Sequence, residues 1–168
     1  MPIMMIFAVI VGLLIIVGGI AAGLGLMSQS RSSNTVQDVA EITANVEGAY
    51  ANQADFATLT NSLAIAQKLV PANMVQGAST IVDPFGGDVT LGPDPNPTIS
   101  NGFDIQVGGL GNASCAAVAE DVSAYEVEIN GTVAATNNTS VSPSTAQQDC
   151  TCGTGANTVT SVETQTNG

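Results

Sequence analysis

Three sulfur atoms and two pairs of carboxylates are the groups in this chain whose spacing suggests chemistry. The cysteines are Cys115, Cys150 and Cys152, and there is no histidine anywhere. Two close thiolates without imidazole make a poor metal site, because structural zinc takes four Cys or His ligands. A disulfide from Cys115 to Cys150 or to Cys152 closes a loop of about 35 residues, which the chain-entropy account values at roughly 3–4 kcal/mol. It also implies an oxidising compartment, periplasm or cell exterior, and leaves one thiol over. Glu126 and Glu128 alternate along a strand, and Glu120-Asp121 closes a helix. With no imidazole to serve as general base, these carboxylates read as the wet sides of their elements rather than a catalytic pair. Four asparagines, Asn112, Asn130, Asn137 and Asn138, head Asn-x-Ser/Thr triplets and are candidate glycosylation sites. The expectation is a chain with no enzyme activity, no cofactor and no metal.

Charge narrows the partners. Arg31 and Lys68 stand against fourteen acidic residues, a formal net charge of −12. Nucleic acid is excluded, since its phosphates need Lys and Arg to displace counterions. Anionic lipid heads are excluded on the same ground. Self-repulsion favours a surface that faces water. The abundance of Thr, Ser, Asn, Ala and Gly suits an exported protein, and 168 residues make one domain's worth of chain.

The element that must place this domain is the amino-terminal rod "MPIMMIFAVIVGLLIIVGGIAAGLGLM". Residues 3–27 are apolar or Gly throughout, and as a helix they would run roughly 37 Å. A bilayer core is about 30 Å thick. A secretion signal would show a positive start, a shorter core and a small-x-small cleavage site, whereas here no Lys or Arg precedes the core and the apolar run is too long. The rod is therefore a membrane anchor or a packing element of an assembly. Glycines at 12, 18, 19, 23 and 25 permit close helix–helix approach. Each also weakens the helix by up to ~1 kcal/mol relative to Ala.

The helix continues past the rod. In "SQSRSSNTVQDVAEITANVEGAY", Val36, Val39, Ile42, Val46 and Tyr50 recur at three- and four-residue steps, with Gln37, Asp38, Glu41 and Glu47 mostly opposite. The reading is one long helix over 1–52: a hydrophobic half, 1–27, and an amphipathic half, 28–52. Residues 53–168 form the head. There, Leu59, Leu63, Ala66, Leu69 and Val70 mark a short helix ended by Pro71. Gly86-Gly87 turns between Thr80–Val82 and Val89–Leu91, and "GPDPNPTISNG" is a surface loop. Phe103, Ile105 and Val107 alternate with Asp104 and Gln106, a half-buried strand. Ser114 caps a brief helix, Cys115–Val122. "AYEVEINGTVAA" is a strand, an Asn130-Gly131 type I′ turn and a return strand. Val159 and Val162 sit in a last strand. The fold class is α+β: a long N-terminal α-helix packed on an antiparallel sheet.

Taken in order, these residues resemble the type IVb pilins, subunits of type IV pili of the toxin-coregulated and plasmid thin-pilus kind. The uncharged rod and its "SRSSNTVQDVAEI…Y" continuation carry the resemblance, with "LVPANMV", "DPFGGDVTL", "GFDIQVGGLGNASC" and "AQQDCTCGTGANTV" after them. It covers nearly the whole chain, each motif being only moderately specific alone. The resemblance implies a type IV pilin fold and a homopolymeric helical filament whose core is the bundled rods, with Ile3, Met5, Phe7, Ile10, Leu14 and Val17 in that core. It implies a precursor held in the inner membrane, cut by a prepilin peptidase, methylated on its new amino terminus (here Met1) and passed by the assembly machinery to an extracellular pilus. It implies a rod that melts partway, here at Gly18, Gly19, Gly23 and Gly25. Finally it implies a cystine bounding a D-region of about 115–152, with Cys115 as first member and Cys152 fitting the following residues slightly better than Cys150. One departure stands out. The family has Glu at the fifth mature position and this chain has Met5, with nothing acidic before Asp38. An unpaired amine in an apolar core costs several kcal/mol, so it must be relieved in another way. The alternatives to a filament subunit are a single-pass membrane-anchored periplasmic binding module and a pseudopilin of a type II secretion machine. Adhesion, aggregation and conjugation are the roles open to a filament.

Overall fold

Helix α1 (Ile3–Tyr50) is continuous. This computed structural model describes the backbone of residues 3–96, 101–153 and 155–164, and side chains from Met27 onward. Met1 and the side chains of Ile3, Met5, Phe7, Ile10, Leu14 and Val17 lie outside the described residues. Gly18, Gly19, Gly23 and Gly25 lie within α1, whose backbone is helical through them in the single chain. From Met27 onward, where side chains are described, no helix is long and apolar enough to cross a membrane.

From Met27 on, α1 is amphipathic as its spacing predicts. Val39, Ile42, Val46 and Tyr50 are buried and Val36 is partly so, while Gln37, Glu41 and Glu47 are exposed. Ser32 and Thr35 extend the buried stripe toward the rod, their hydroxyls donating to the Ser28 and Arg31 carbonyls at 3.2 and 3.0 Å. The polar groups thus enter the core satisfied by their own helix.

The stripe lies on a sheet of six strands: β1 (Ile81–Val82), β2 (Asp88–Pro93), β3 (Gly102–Leu110), β4 (Glu126–Ile129), β5 (Thr132–Thr136) and β6 (Asn157–Thr164). Their order across the sheet is β1-β2-β3-β6-β4-β5, and every adjacent pair is antiparallel. The last strand fills the middle. After β3 the chain leaves for α3 (Asn112–Asp121), the β4–β5 hairpin and α4 (Pro143–Asp149), then returns as β6 between β3 and β4. Register sets the faces: Phe103, Ile105 and Val107 on β3, Val159 on β6, and Val127 and Ile129 on β4 all turn toward the core. Tyr50, Phe56 and Phe103 stack in series, with ring centroids 5.1 and 4.7 Å apart, and join the end of α1 to β3.

Local chemistry explains where the shorter elements differ from expectation. Helix α2 (Asn61–Ala66) starts at the Thr60 cap and ends before Pro71 is reached. Lys68 takes φ 59, and the Lys68 and Leu69 amides bond back to the Ile65 and Ala64 carbonyls, a left-handed closure that stops the helix early. Helix α3 begins at Asn112 rather than under a Ser114 cap, because the Gly111 carbonyl already accepts from the Cys115 amide. Helix α4 was not anticipated, although Ser142 capping the Thr145 amide and Pro143 at the first turn are a recognisable start. Asn61 substitutes for a neighbouring strand where β1 stops: its amide donates to the Val89 carbonyl at 2.8 Å and accepts from the Leu91 amide at 2.7 Å.

The Gly86-Gly87 turn is as read, and its second glycine is obligatory for another reason. A Cβ on Gly87 would collide with the carbonyl of Gly108, where β3 shifts register between Val107 and Leu110. Gly109 has φ +68 and meets Gly87 from the other side. The turn is pressed onto the bulge, backbone against backbone. Gly87→Ala should therefore lower stability by about 2 kcal/mol or more, well above the helix or strand penalty for an exposed glycine. The thermal unfolding midpoint checks it; Gly86→Ala, at φ +86 in open space, should cost less.

Candidate functional site

The D-region is the part of the head that the sequence singled out, and its cystine joins Cys115 to Cys150, not Cys152. Cys115 sits on the buried face of α3, and Cys150 closes α4 with its amide bonded to the Ala146 carbonyl. Their Cα atoms are 5.8 Å apart across the α3–α4 contact. Two residues later the backbone has turned: the Cys152 amide is held by Asn157 Oδ1 at 3.0 Å and its thiol is exposed and free. The preference for Cys152 is corrected by the cap of α4, which points Cys150 inward.

Beside the cystine lies a second tie, made of amides. Asn157, fully buried at the start of β6, donates from Nδ2 to the Leu110 carbonyl, the Gly153 carbonyl and Asn112 Oδ1 at 3.0–3.1 Å. Its Oδ1 accepts from the Cys152 amide and from Asn130 Nδ2. Asn130, in the hairpin turn at φ 52, also donates to the Asp149 carbonyl at 2.7 Å and accepts from the Thr158 amide at 2.9 Å. Asn112 Oδ1 takes a further bond from the Gly153 amide. Three asparagines thus connect the end of β3, the start of α3, the β4–β5 turn, the end of α4 and the start of β6. Buried and nearly saturated, such a network fixes geometry more than it adds net energy.

This tie revises the sequon reading. In Asn130 the side-chain nitrogen that a glycan would occupy is spent inside the fold. Asn112 is exposed at its edge but its carbonyl oxygen is engaged twice. Asn137 and Asn138 project from an exposed turn, both at φ 58. Asn157 itself was missed, and nothing in "GTGANTVT" distinguishes a structural asparagine from a loop residue.

The carboxylates do not assemble into a reaction site. Glu126 and Glu128 lie with Asp104 on the sheet face away from α1, as the pairings Asp104↔Val162↔Glu126 and Gln106↔Thr160↔Glu128 require. That face is less wet than its alternation suggests: Val162 and Thr160 are buried, and Glu126 is buried with Oε1 unpartnered. Burial, then the Asp94 charge and, more weakly, Glu128 raise the Asp104 carboxyl to about 6. Glu163 faces α1 instead, where burial and then the Glu47 charge raise it to about 7 against a bond from the Tyr125 backbone. Among the described residues no group of three or more His, Cys, Asp or Glu is placed to hold a metal ion.

Two outcomes are expected. Cys115→Ser should lower the stability of the head by roughly 3–4 kcal/mol under oxidising conditions, while Cys152→Ser leaves it unchanged within about 0.5 kcal/mol; denaturant midpoints distinguish them. Glu163 has a folded-state pKa above its ordinary 4.5, so it binds its proton more tightly folded than unfolded. Its ionisation therefore costs stability as pH rises from 4.5 to about 7, and the cost persists above that. Glu163→Gln should accordingly raise the unfolding midpoint at pH 8 and leave it nearly unchanged at pH 4.

Comparison with known proteins agrees with this architecture. Residues 29–164 match the protein family described as PilS N terminal. The major structural subunit of bundle-forming pilus from Escherichia coli O127:H6 (strain E2348/69 / EPEC) is 26% identical over 108 residues, covering 61% of this chain and 55% of that protein. The subunit of the same name from E. coli O111:H- is 26% identical over 91 residues, covering 54% and 47%. The chain thus spans about half the length of these curated relatives. Among solved structures, the type IV b pilin from Salmonella typhi superposes with TM-score 0.61 at 20% identity, covering 80% of this chain and 97% of that one. TcpA, a type IV pilin from Vibrio cholerae El Tor biotype, gives TM-score 0.57 at 17% identity, covering 80% and 99%.

Proposed function

Because this chain belongs to the PilS N-terminal family of pilins, we propose that it is the structural subunit of an extracellular type IV pilus, polymerised through its amino-terminal helix. The observation that carries the reading is the single helix α1. Its second half buries Val39, Ile42, Val46 and Tyr50 in the head, and its first half carries the uncharged sequence of residues 3–27. A subunit so built has an oily stem rigidly attached to an acidic head. Stems bundled side by side leave water, and heads carrying a formal −12 form the wet sheath. The relatives named as major structural subunits of a pilus, and the pilins with the same fold, support this assignment.

In this reading the precursor waits with its stem in the inner membrane, a peptidase releases it, and Met1 carries the methyl group. Ile3, Met5, Phe7, Ile10, Leu14 and Val17 pack in the filament core. The backbone through Gly18, Gly19, Gly23 and Gly25, helical in the single chain, is where the stem loosens on assembly. Met5 in place of an acidic residue means that the amine is relieved by lost protonation, by solvent or by lipid head groups rather than by a neighbour's carboxylate. Any glycan would sit at Asn137 or Asn138. The role of the fibre is adhesion, aggregation or conjugation.

Material sheared from the cell surface should contain long thin fibres of this chain under negative stain, with an intact mass showing one cystine and a methylated terminus. Gly18→Leu and Gly19→Leu, which stiffen the stem, should lower fibre yield. Membrane-bound chain with no fibres would favour an anchored module, and short stalks a pseudopilin; wild-type yield from both leucine variants would remove the loosening step.

A further inference from the structure

The fold leaves one thiol, Cys152, standing two residues from a cystine. Cys152 is exposed, whereas Cys115 and Cys150 are 0% and 2% exposed. Two hydrogen bonds hold its backbone against that cystine. The Cys152 amide donates to Asn157 Oδ1 at 3.0 Å, and the next amide, of Gly153, donates to Asn112 Oδ1 at 3.1 Å. Asn112 lies one helical turn before Cys115 on α3, so the tie draws the Cys152 backbone toward Cys115 as well as toward Cys150. The end of α4 is the loosest part of this arrangement. That short helix buries only Ala146 within its length, and Cys150 pins it to α3. Beside it a cleft of about 490 Å³ opens between α3 and α4, bordered by Ala113, Ala116, Gln147, Cys150 and Thr151. A Cys150 side chain released from its bond has room to turn there.

We propose that Cys152 is a resident exchange thiol: its thiolate attacks Cys115 Sγ and moves the D-region cystine from Cys150 to Cys152. One S–S bond forms as one breaks. The electron pair leaves on Cys150 Sγ, which takes up a proton to replace the one Cys152 gave to water. No oxidant or reductant is consumed. Chain entropy hardly distinguishes the two isomers, because the loop grows by two residues and its closing cost follows the logarithm of its length. Folded contacts make the choice. With the bond at Cys150 the α4 cap and the asparagine tie are both intact, and with the bond at Cys152 they are given up. Both sulfurs of the cystine are buried, so exchange waits on local opening at the end of α4. Attack on Cys115 keeps α3 bonded to the 150–152 segment throughout, whereas attack on Cys150 would close a ring of three residues and release α3. The consequence is a change in the α3–α4 surface: the last turn of α4 is freed while the D-region stays closed. The exchange occurs within one chain and holds whether or not that chain polymerises.

The test uses the oxidised full-length chain in detergent with no added redox reagent. After incubation it is quenched into mildly acidic denaturant containing N-ethylmaleimide, and fragment-ion mapping reads which cysteine carries the label. Cys152→Ser, which has no thiol to attack with, sets the background. Wild-type chain should carry a minor share of label on Cys150 above that background, with the rest on Cys152. Asn112→Ala removes the tie to Gly153 and should raise the Cys150 share about fivefold, the shift expected from losing one such hydrogen bond. Label confined to Cys152 in both chains would overturn the exchange. Label on Cys115 would overturn the assigned direction of attack, and disulfide-linked dimers in place of Cys150 label would mean that the thiol serves a second copy instead.

Discussion

The structure depends on one stripe of α1. Val39, Ile42, Val46 and Tyr50 are as buried as the sheet residues they meet, so the second half of the helix is a wall of the head's core rather than a tether to it. Removing four such side chains from water is worth roughly 1.5–3 kcal/mol apiece, enough to hold the helix in one orientation. The Tyr50–Phe56–Phe103 stack and the Asn45 amide, which donates to the Leu69 carbonyl, fix its end and its rotation. Because α1 is unbroken between Ile3 and Tyr50, fixing its second half sets the direction in which the first half leaves the head. A stem so aimed can pack in register with identical stems, which a flexible anchor could not do.

The far edge of the head answers a different constraint. β4 and β5 join the sheet only through β6, the last strand to be made, so the 115–150 segment must be held in place across a strand that arrives after it. The cystine closes that segment at its base, and Asn157 on the arriving strand locks to Asn112 and Asn130 on either side. The D-region is thus held at both of its edges, by the cystine and by the asparagine tie. The carboxylates are arranged less comfortably: Asp104, Glu126 and Glu163 are all shifted upward by burial and by like charges, and Asp83 and Asp38 keep unpartnered oxygens.

Much of this was legible in the residues. The apolar rod and the three-four spacing of Val39, Ile42, Val46 and Tyr50 identify a long half-buried helix without help from tertiary structure. The alternation of Phe103, Ile105 and Val107, and the Asn130-Gly131 pair, identify strands and a hairpin because both are local rules. What escaped was non-local. Choosing Cys150 over Cys152 needs the direction of a helix cap two residues away. Reading Asn130 and Asn112 as structural rather than glycan acceptors needs Asn157, forty-five residues from Asn112 along the chain. The need for glycine at 87 comes from Gly108 on another strand.

Native-state hydrogen exchange, residue by residue on the unassembled subunit, tests the central claim that α1 and the sheet form one cooperative core. Amides from 39 to 50 should exchange only through global opening, with the same free energy as the amides of β3 and β6 and with a matching loss in an Ile42→Ala variant. Exchange along 39–50 that is orders of magnitude faster than in β3 and β6 would mean a helix merely resting on the head, and would contradict the account.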